Sequence, residues 1–195
     1  MQKKYLLISV LLLPAIILLS CKNDKPKEQK IVENNNDSLI FYPVNQYIRN
    51  QITTMENSPV QPYKIIITDS GKDSASISKE EVKTLAQIFL NDSITATGMK
   101  EKYKENIFQD QTTASYTFSY TTEDSLLPVQ RVLVLLDTAT QQVKNIIYSI
   151  SKSNADSSIT EMHWWKNDKG FTILQSSMLP DGKERKRQIQ VGWKE

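Results

Sequence analysis

The sequence predicts an α+β domain over residues 39–195, with N-terminal helices packed on a C-terminal antiparallel β-meander of about five strands. Three observations predict it. Before Gln111 the apolar side chains recur mostly at helical spacing. Beyond Gln111 the period falls to two and stays there to the end of the chain. The stretch is long enough for one sizeable core and too short for two.

The first helix is read from Val44, Tyr47, Ile48, Ile52 and Met55, which share one face after Pro43, a residue suited to an early helical position. Lys64 to Thr68 is a β-branched run bounded by Pro62 and Gly71, too short for a helix, and reads as a strand. Ser78 followed by Glu81 forms a capping box, so a second helix begins at Lys79. It carries Val82, Leu85, Ile88 and Phe89 inward and runs to about Asn91. After Gly98, the set Met99, Tyr103, Ile107 and Phe108 predicts a third, short helix.

The meander begins with "ASYTFSYT", where Ala114, Tyr116, Phe118 and Tyr120 point one way and Ser115, Thr117, Ser119 and Thr121 the other. The aromatic side is expected to lie under the helices carrying Ile48, Leu85 and Phe89. "VQRVLVLLD" and "QVKNIIYSIS" pair around "TATQ". "ITEMHWWK" and "GFTILQSSM" flank Asn167 to Gly170, and "LPDGK" turns the chain into "RKRQIQVGW".

Ahead of the domain, Lys3 and Lys4 precede an apolar run, Tyr5 to Leu19. As a helix this run would rise only about 22 Å, short of a hydrocarbon core of roughly 30 Å, so residues 1–20 read as a cleaved export signal. Cys21, the only cysteine, ends it, and "KNDKPKEQKIVENNNDS" after it is too polar to repay ordering, so residues 21–38 read as a flexible tether. Leu18, Leu19, Ser20 and Cys21 resemble the lipobox of bacterial lipoproteins. The resemblance implies lipidation of Cys21, palmitate-type acylation of the new terminus and residence at a membrane face of the cell envelope. Lys22 stands where many retained proteobacterial lipoproteins carry aspartate, so the same resemblance implies the outer membrane. The remaining chain resembles uncharacterised envelope lipoproteins of the Bacteroidetes type, a family that supplies no activity. "VLLDTATQQVKNI" faintly resembles the hairpin of PepSY-type modules.

Charge and composition exclude several functions. There are 24 Lys and Arg against 22 Asp and Glu; two of the lysines are Lys3 and Lys4 in the leader, so the remainder balances at 22 of each. A neutral domain gives no basis for nucleic-acid binding. With one histidine and one cysteine, the chain offers no multi-histidine zinc set, no disulfide and no cofactor motif. "TDSGKDS" shares only Gly-Lys with a phosphate loop, because Ile66 and Asp73 stand at required positions, and it reads as a strand-to-helix loop. No G-x-S-x-G elbow exists.

What remains is a non-catalytic envelope module for binding or assembly, with an envelope protein, a lipid or a glycan as partner. The alternative class is a hydrolase working through paired carboxylates, which needs two such groups across a cleft. In "MHWWK", alternation sends His163 and Trp165 to one face and Met162 with Trp164 to the other. One pair is expected in the core and the other on the sheet surface, and His163 and Trp165 are candidate contacts. Arg185 and Arg187 share a face of the last strand. They read either as protection of an edge strand or as a ridge for anionic headgroups or glycans.

Overall fold

The computed structural model describes residues 41–91, 93–96, 98–153 and 158–193. The leader, the lipobox with Cys21 and the tether lie outside them. Helix α1 spans Val44–Glu56, α2 Lys79–Ala86 and α3 Ile88–Asn91, with a short 3₁₀ turn at Lys100–Lys102. The strands are β1 Tyr63–Thr68, β2 Gly71–Ser76, β3 Lys104–Asp110, β4 Ser115–Thr121, β5 Val129–Asp137, β6 Val143–Ser153, β7 Ser158–Lys166, β8 Gly170–Met178 and β9 Glu184–Gly192. All nine belong to one antiparallel sheet, in the order β2-β1-β9-β8-β7-β6-β5-β4-β3.

This architecture overturns the expectation of helices on a five-strand meander. The sheet dominates, and the helices are short additions to one of its faces. Two segments account for the difference. Residues 104–110 form β3 rather than a third helix: Ile107 and Phe108 pair with Phe118 and Thr117 of β4, and the helical spacing from Met99 survives only as the 3₁₀ turn. Strand pairing that satisfies the flank of β4 outweighs a weak helical pattern. "TDSGKDS" is the hairpin joining β1 to β2, not a strand-to-helix loop. Every residue of β2 is exposed and only Ala75 is apolar, so it carries no apolar alternation.

The helix signals otherwise act as read. Ser78 accepts the Glu81 backbone N–H at 3.1 Å, whereas the Glu81 carboxylate pairs with Lys64, so one half of the capping box forms, and the following helix pauses only at Gln87 before α3 continues. The β5–β6 turn is built by Asp137, which accepts the N–H groups of Ala139 at 3.0 Å and Thr140 at 2.9 Å. Gly170 opens β8 with φ +136°, and a Cβ there would meet the Val191 carbonyl oxygen at 2.0 Å, so only glycine fits.

Register defines two faces. The covered face carries Tyr120, Val132, Val134, Ile146, Tyr148, His163, Trp165, Phe171 and Val191, all buried. Val44, Ile48, Ile52 and Met55 of α1, Val82 and Ala86 of α2, and Phe89 of α3 pack onto it. Phe89 is the hub: its ring lies 5.2 Å from Trp165, 5.3 Å from Phe171, 5.5 Å from His163 and 5.8 Å from Tyr148, each near edge-on. Tyr47 donates to Asn167 Oδ1 at 2.5 Å, and Gln51 accepts the Asp168 N–H at 2.8 Å, which fastens α1 to the β7–β8 turn.

The aromatic strand β4 needs a finer statement than its alternation allowed. Tyr120 is fully buried beneath Phe41, whereas Phe118 and Tyr116 are half-buried, and the Phe118 ring meets that of Tyr42. Ala114 lies in the exposed turn before the strand. On the opposite face Ser115, Thr117 and Ser119 are buried as well. Thr117 lies between Phe108 of β3 and Leu135 of β5, so larger cross-strand neighbours shield the small side chain.

Candidate binding site

Among the described residues no helix lies on the second face of the sheet. β5 and β6 are apolar on both faces, and on this side they present Leu133, Leu135 and Ile147, each partly exposed. Trp164 continues the surface; its indole N–H donates to Asn145 Oδ1 at 2.9 Å, and the Lys166 ammonium sits 4.4 Å from the ring centroid. Toward the other end of the strands the same face hollows into a cavity of about 490 Å³. Ile67, Met162 and Leu174 supply its apolar wall, with Ser149, Thr160, Ser176 and Gln188 around them. These residues come from β1, β6, β7, β8 and β9, so the sheet bends around the space.

A second cavity of about 500 Å³ lies at the end of β1, on the side of the sheet to which register sends Gln175, Ser177, Arg185 and Arg187, opposite Met162 and Leu174. It is lined by Ser70, Ser177, Leu179 and Arg185, and it shares Thr68, Asp69, Gln175, Lys186 and Arg187 with the apolar one. Both lie where β1 stops, one on each side of the sheet. Thr68 is the last β1 residue paired with β9, opposite Arg187, so Glu184 to Lys186 run on beside β8 alone. Asp69 accepts the Lys186 backbone N–H at 3.2 Å across the gap.

Most charges on this overhang are matched locally. Lys183 pairs with Asp181 at 3.0 Å and Lys186 with Glu184 at 3.0 Å. The Ser176 hydroxyl, 2.6 Å from Glu184, and then Lys186 hold the Glu184 carboxyl below its usual range. Arg185 and Arg187 are exposed, and neither guanidinium makes an ion pair with a described residue.

The sequence-predicted contacts separate into two groups. His163 and Trp165 share a face, opposite Met162 and Trp164, as alternation requires. Both are fully buried under α3, so they belong to the core and offer no surface to a ligand. His163 Nε2 lies 2.9 Å from Glu161 Oε2, and Gln175 donates to Glu161 Oε1 at 3.0 Å. Arg185 and Arg187 do share a face and an exposed position. Their strand is not the outermost one, since β1 and β8 flank it from Arg187 to Gly192 and the outer strands are β2 and β3, but from Glu184 to Lys186 it has β8 alone beside it, so edge protection applies only to the Arg185 end. Lys72 and Asp73 blunt the β2 edge.

Sequence reasoning missed the cavity. Its apolar wall combines Met162, Leu174 and Ile67, which no local spacing brings together; β9 must insert between β1 and β8 to do so. Among the described residues no group of three or more His, Cys, Asp or Glu is arranged to hold a metal ion. Comparison with protein-family models, with curated proteins and with solved structures gives no match.

Proposed function

We propose that the chain is a lipid-anchored protein of the cell envelope that works as a non-catalytic binding module, with the open sheet face as its binding surface. The observation that carries this reading is the apolar cavity of about 490 Å³ on the face that no helix of the described residues covers. Its volume falls within the roughly 300–1,000 Å³ of small-molecule sites, and an extended exposed apolar surface beside it is the usual mark of an interaction face. The lipobox-like Leu18 to Cys21 supports the anchor, and its resemblance favours the outer membrane. A paired-carboxylate hydrolase has less support: Glu161 is engaged by His163 and Gln175, and Asp69 by a backbone amide.

Two methionines of matched exposure provide the test. Met162 at the cavity is 42% exposed and Met178 at the far end of β8 is 44% exposed. Oxidative footprinting of purified, ligand-stripped protein is expected to modify both alike. In native envelopes Met162 is expected to be protected relative to Met178, and an unchanged ratio would contradict an occupied face. The anchor is tested separately by fatty-acid labelling, which Cys21→Ser is expected to abolish; an exported native chain that takes up no label would contradict it.

A further inference from the structure

We infer that Arg185 and Arg187, with the Ser177, Thr68 and Ser70 hydroxyls, form a site for a phosphate monoester, on the covered side of the sheet beyond the rows that the helices seal. The inference goes beyond the open-face reading and is independent of it, since the site lies on the other side of the sheet. The two arginines are alternate residues of β9, so both project to one side with their Cα atoms about 7 Å apart. Beside them on that side stand Gln175 and Ser177 of β8, paired with Arg187 and Arg185, and Thr68 of β1, paired with Arg187. The Thr68 hydroxyl lies 2.9 Å from that of Ser70, which brings Ser70 to the group. These residues line the cavity of about 500 Å³. Along β8, Phe171 and Ile173 of the same side are buried, whereas Gln175 and Ser177 are part-exposed, so a ligand reaches this end of the strand.

Charge and geometry together select the ligand. One guanidinium fork satisfies a carboxylate, whereas two forks on one strand grip a tetrahedral dianion from two directions and leave its third oxygen to hydroxyl donors. Neither guanidinium makes an ion pair with a described residue. The acids close by are already engaged. Lys183 pairs with Asp181 at 3.0 Å and is the main cause of its lowered carboxyl, to which Arg185 adds least. Glu161, one strand beyond Gln175 on the same side, takes His163 Nε2 at 2.9 Å, Gln175 at 3.0 Å and Lys152 at 4.0 Å. Asp69 accepts the Lys186 amide. Lys186 itself projects to the opposite side and pairs with Glu184, so it takes no part.

The test modifies the full-length protein in phosphatidylcholine nanodiscs with phenylglyoxal and reads each arginine by peptide mass spectrometry. Arg49 and Arg131, exposed elsewhere, are the internal references. One arm adds glycerol 3-phosphate, with acetate as its control. The other uses phosphatidylcholine–phosphatidic acid nanodiscs, with phosphatidylglycerol in the same proportion as control. The monoester is expected to slow modification of Arg185 and Arg187 several-fold and to leave Arg49 and Arg131 unchanged. Protection by glycerol 3-phosphate assigns a soluble ester, protection by phosphatidic acid alone assigns a lipid headgroup, and protection in both arms assigns the phosphate group whatever carries it; each supports the site. Arg187→Lys keeps the charge at an exposed position and loses the fork, and it is expected to raise the half-protecting concentration at Arg185 about tenfold. Protection in neither arm, equal protection of all four arginines, equal protection by the control anions, or undiminished protection of Arg185 in Arg187→Lys would overturn the inference.

Discussion

The two faces of β5 and β6 are both apolar and have opposite fates. On the covered side Val132, Val134, Ile146, Tyr148 and Trp165 are sealed by α1, α2 and α3. On the open side their immediate sequence neighbours Leu133, Leu135, Ile147 and Trp164 retain exposure. Strands that read as continuous apolar runs usually have both faces covered, so a second face left open by the described residues is the surface that the proposed binding module would offer a partner. The contrast separates what holds the fold from what is free to bind.

The sharpest way to break this contrast is to damage the covered side. Phe89 is fully buried at the centre of four rings, so Phe89→Ala is expected to cost about 3–5 kcal/mol, a large share of a domain stability of roughly 5–15 kcal/mol. Chemical denaturation of the variant checks it. Phe118 faces the same side but sits half-buried against Tyr42, so Phe118→Ala is expected to cost about half as much in the same assay. Equal losses would mean that the helical cover extends further over β4 than the ring contacts indicate.

Much of the covered side was legible in the sequence, and the reason is periodicity. Val44, Ile48, Ile52 and Met55, the Ser78 cap and the alternation of "MHWWK" each encode local geometry within a few residues, and each places its side chains as read. What was not legible depends on long-range pairing. β9 looked like a terminal edge because nothing near Arg187 announces that Tyr63 to Thr68 will pair beside it. β2 has no apolar residue but Ala75, so its strand character comes entirely from its partner. Thr117 shows the limit of alternation: the pattern gives its direction correctly but not the burial that Phe108 and Leu135 impose. The binding cavity shares that limit, since its wall exists only after five strands assemble.

A smaller effect is expected at the β5–β6 turn, which serves both faces by setting their register. The backbone amide of Thr140, Lys144 and the amide of Ala139 hold the Asp137 carboxyl at about 2, below its ordinary 3.8. A lowered folded-state value means that the charged form stabilises the fold fully above the unfolded pKa and that the contribution fades as pH falls through the folded one. The difference in melting temperature between wild type and Asp137→Asn is therefore expected to be constant above pH 5 or so and to shrink as pH drops toward 2. A difference that persists unchanged at acid pH would assign the effect to the turn's hydrogen bonds alone.

The smallest stability effect is expected on the open face, and there the division between the two sides is tested most directly. Met162→Glu adds a charge one residue from the fully buried His163, on the opposite side of the same strand. Thermal unfolding of Met162→Glu beside Phe89→Ala is the decisive measurement. A core cavity destabilises strongly, whereas an exposed surface substitution usually stays within about 0.5 kcal/mol. The account predicts that Met162→Glu melts close to wild type while Phe89→Ala melts far below it. A loss at Met162 comparable to that at Phe89 would show that the open face is packed as core, and the division of the sheet into a structural and a binding side would be wrong.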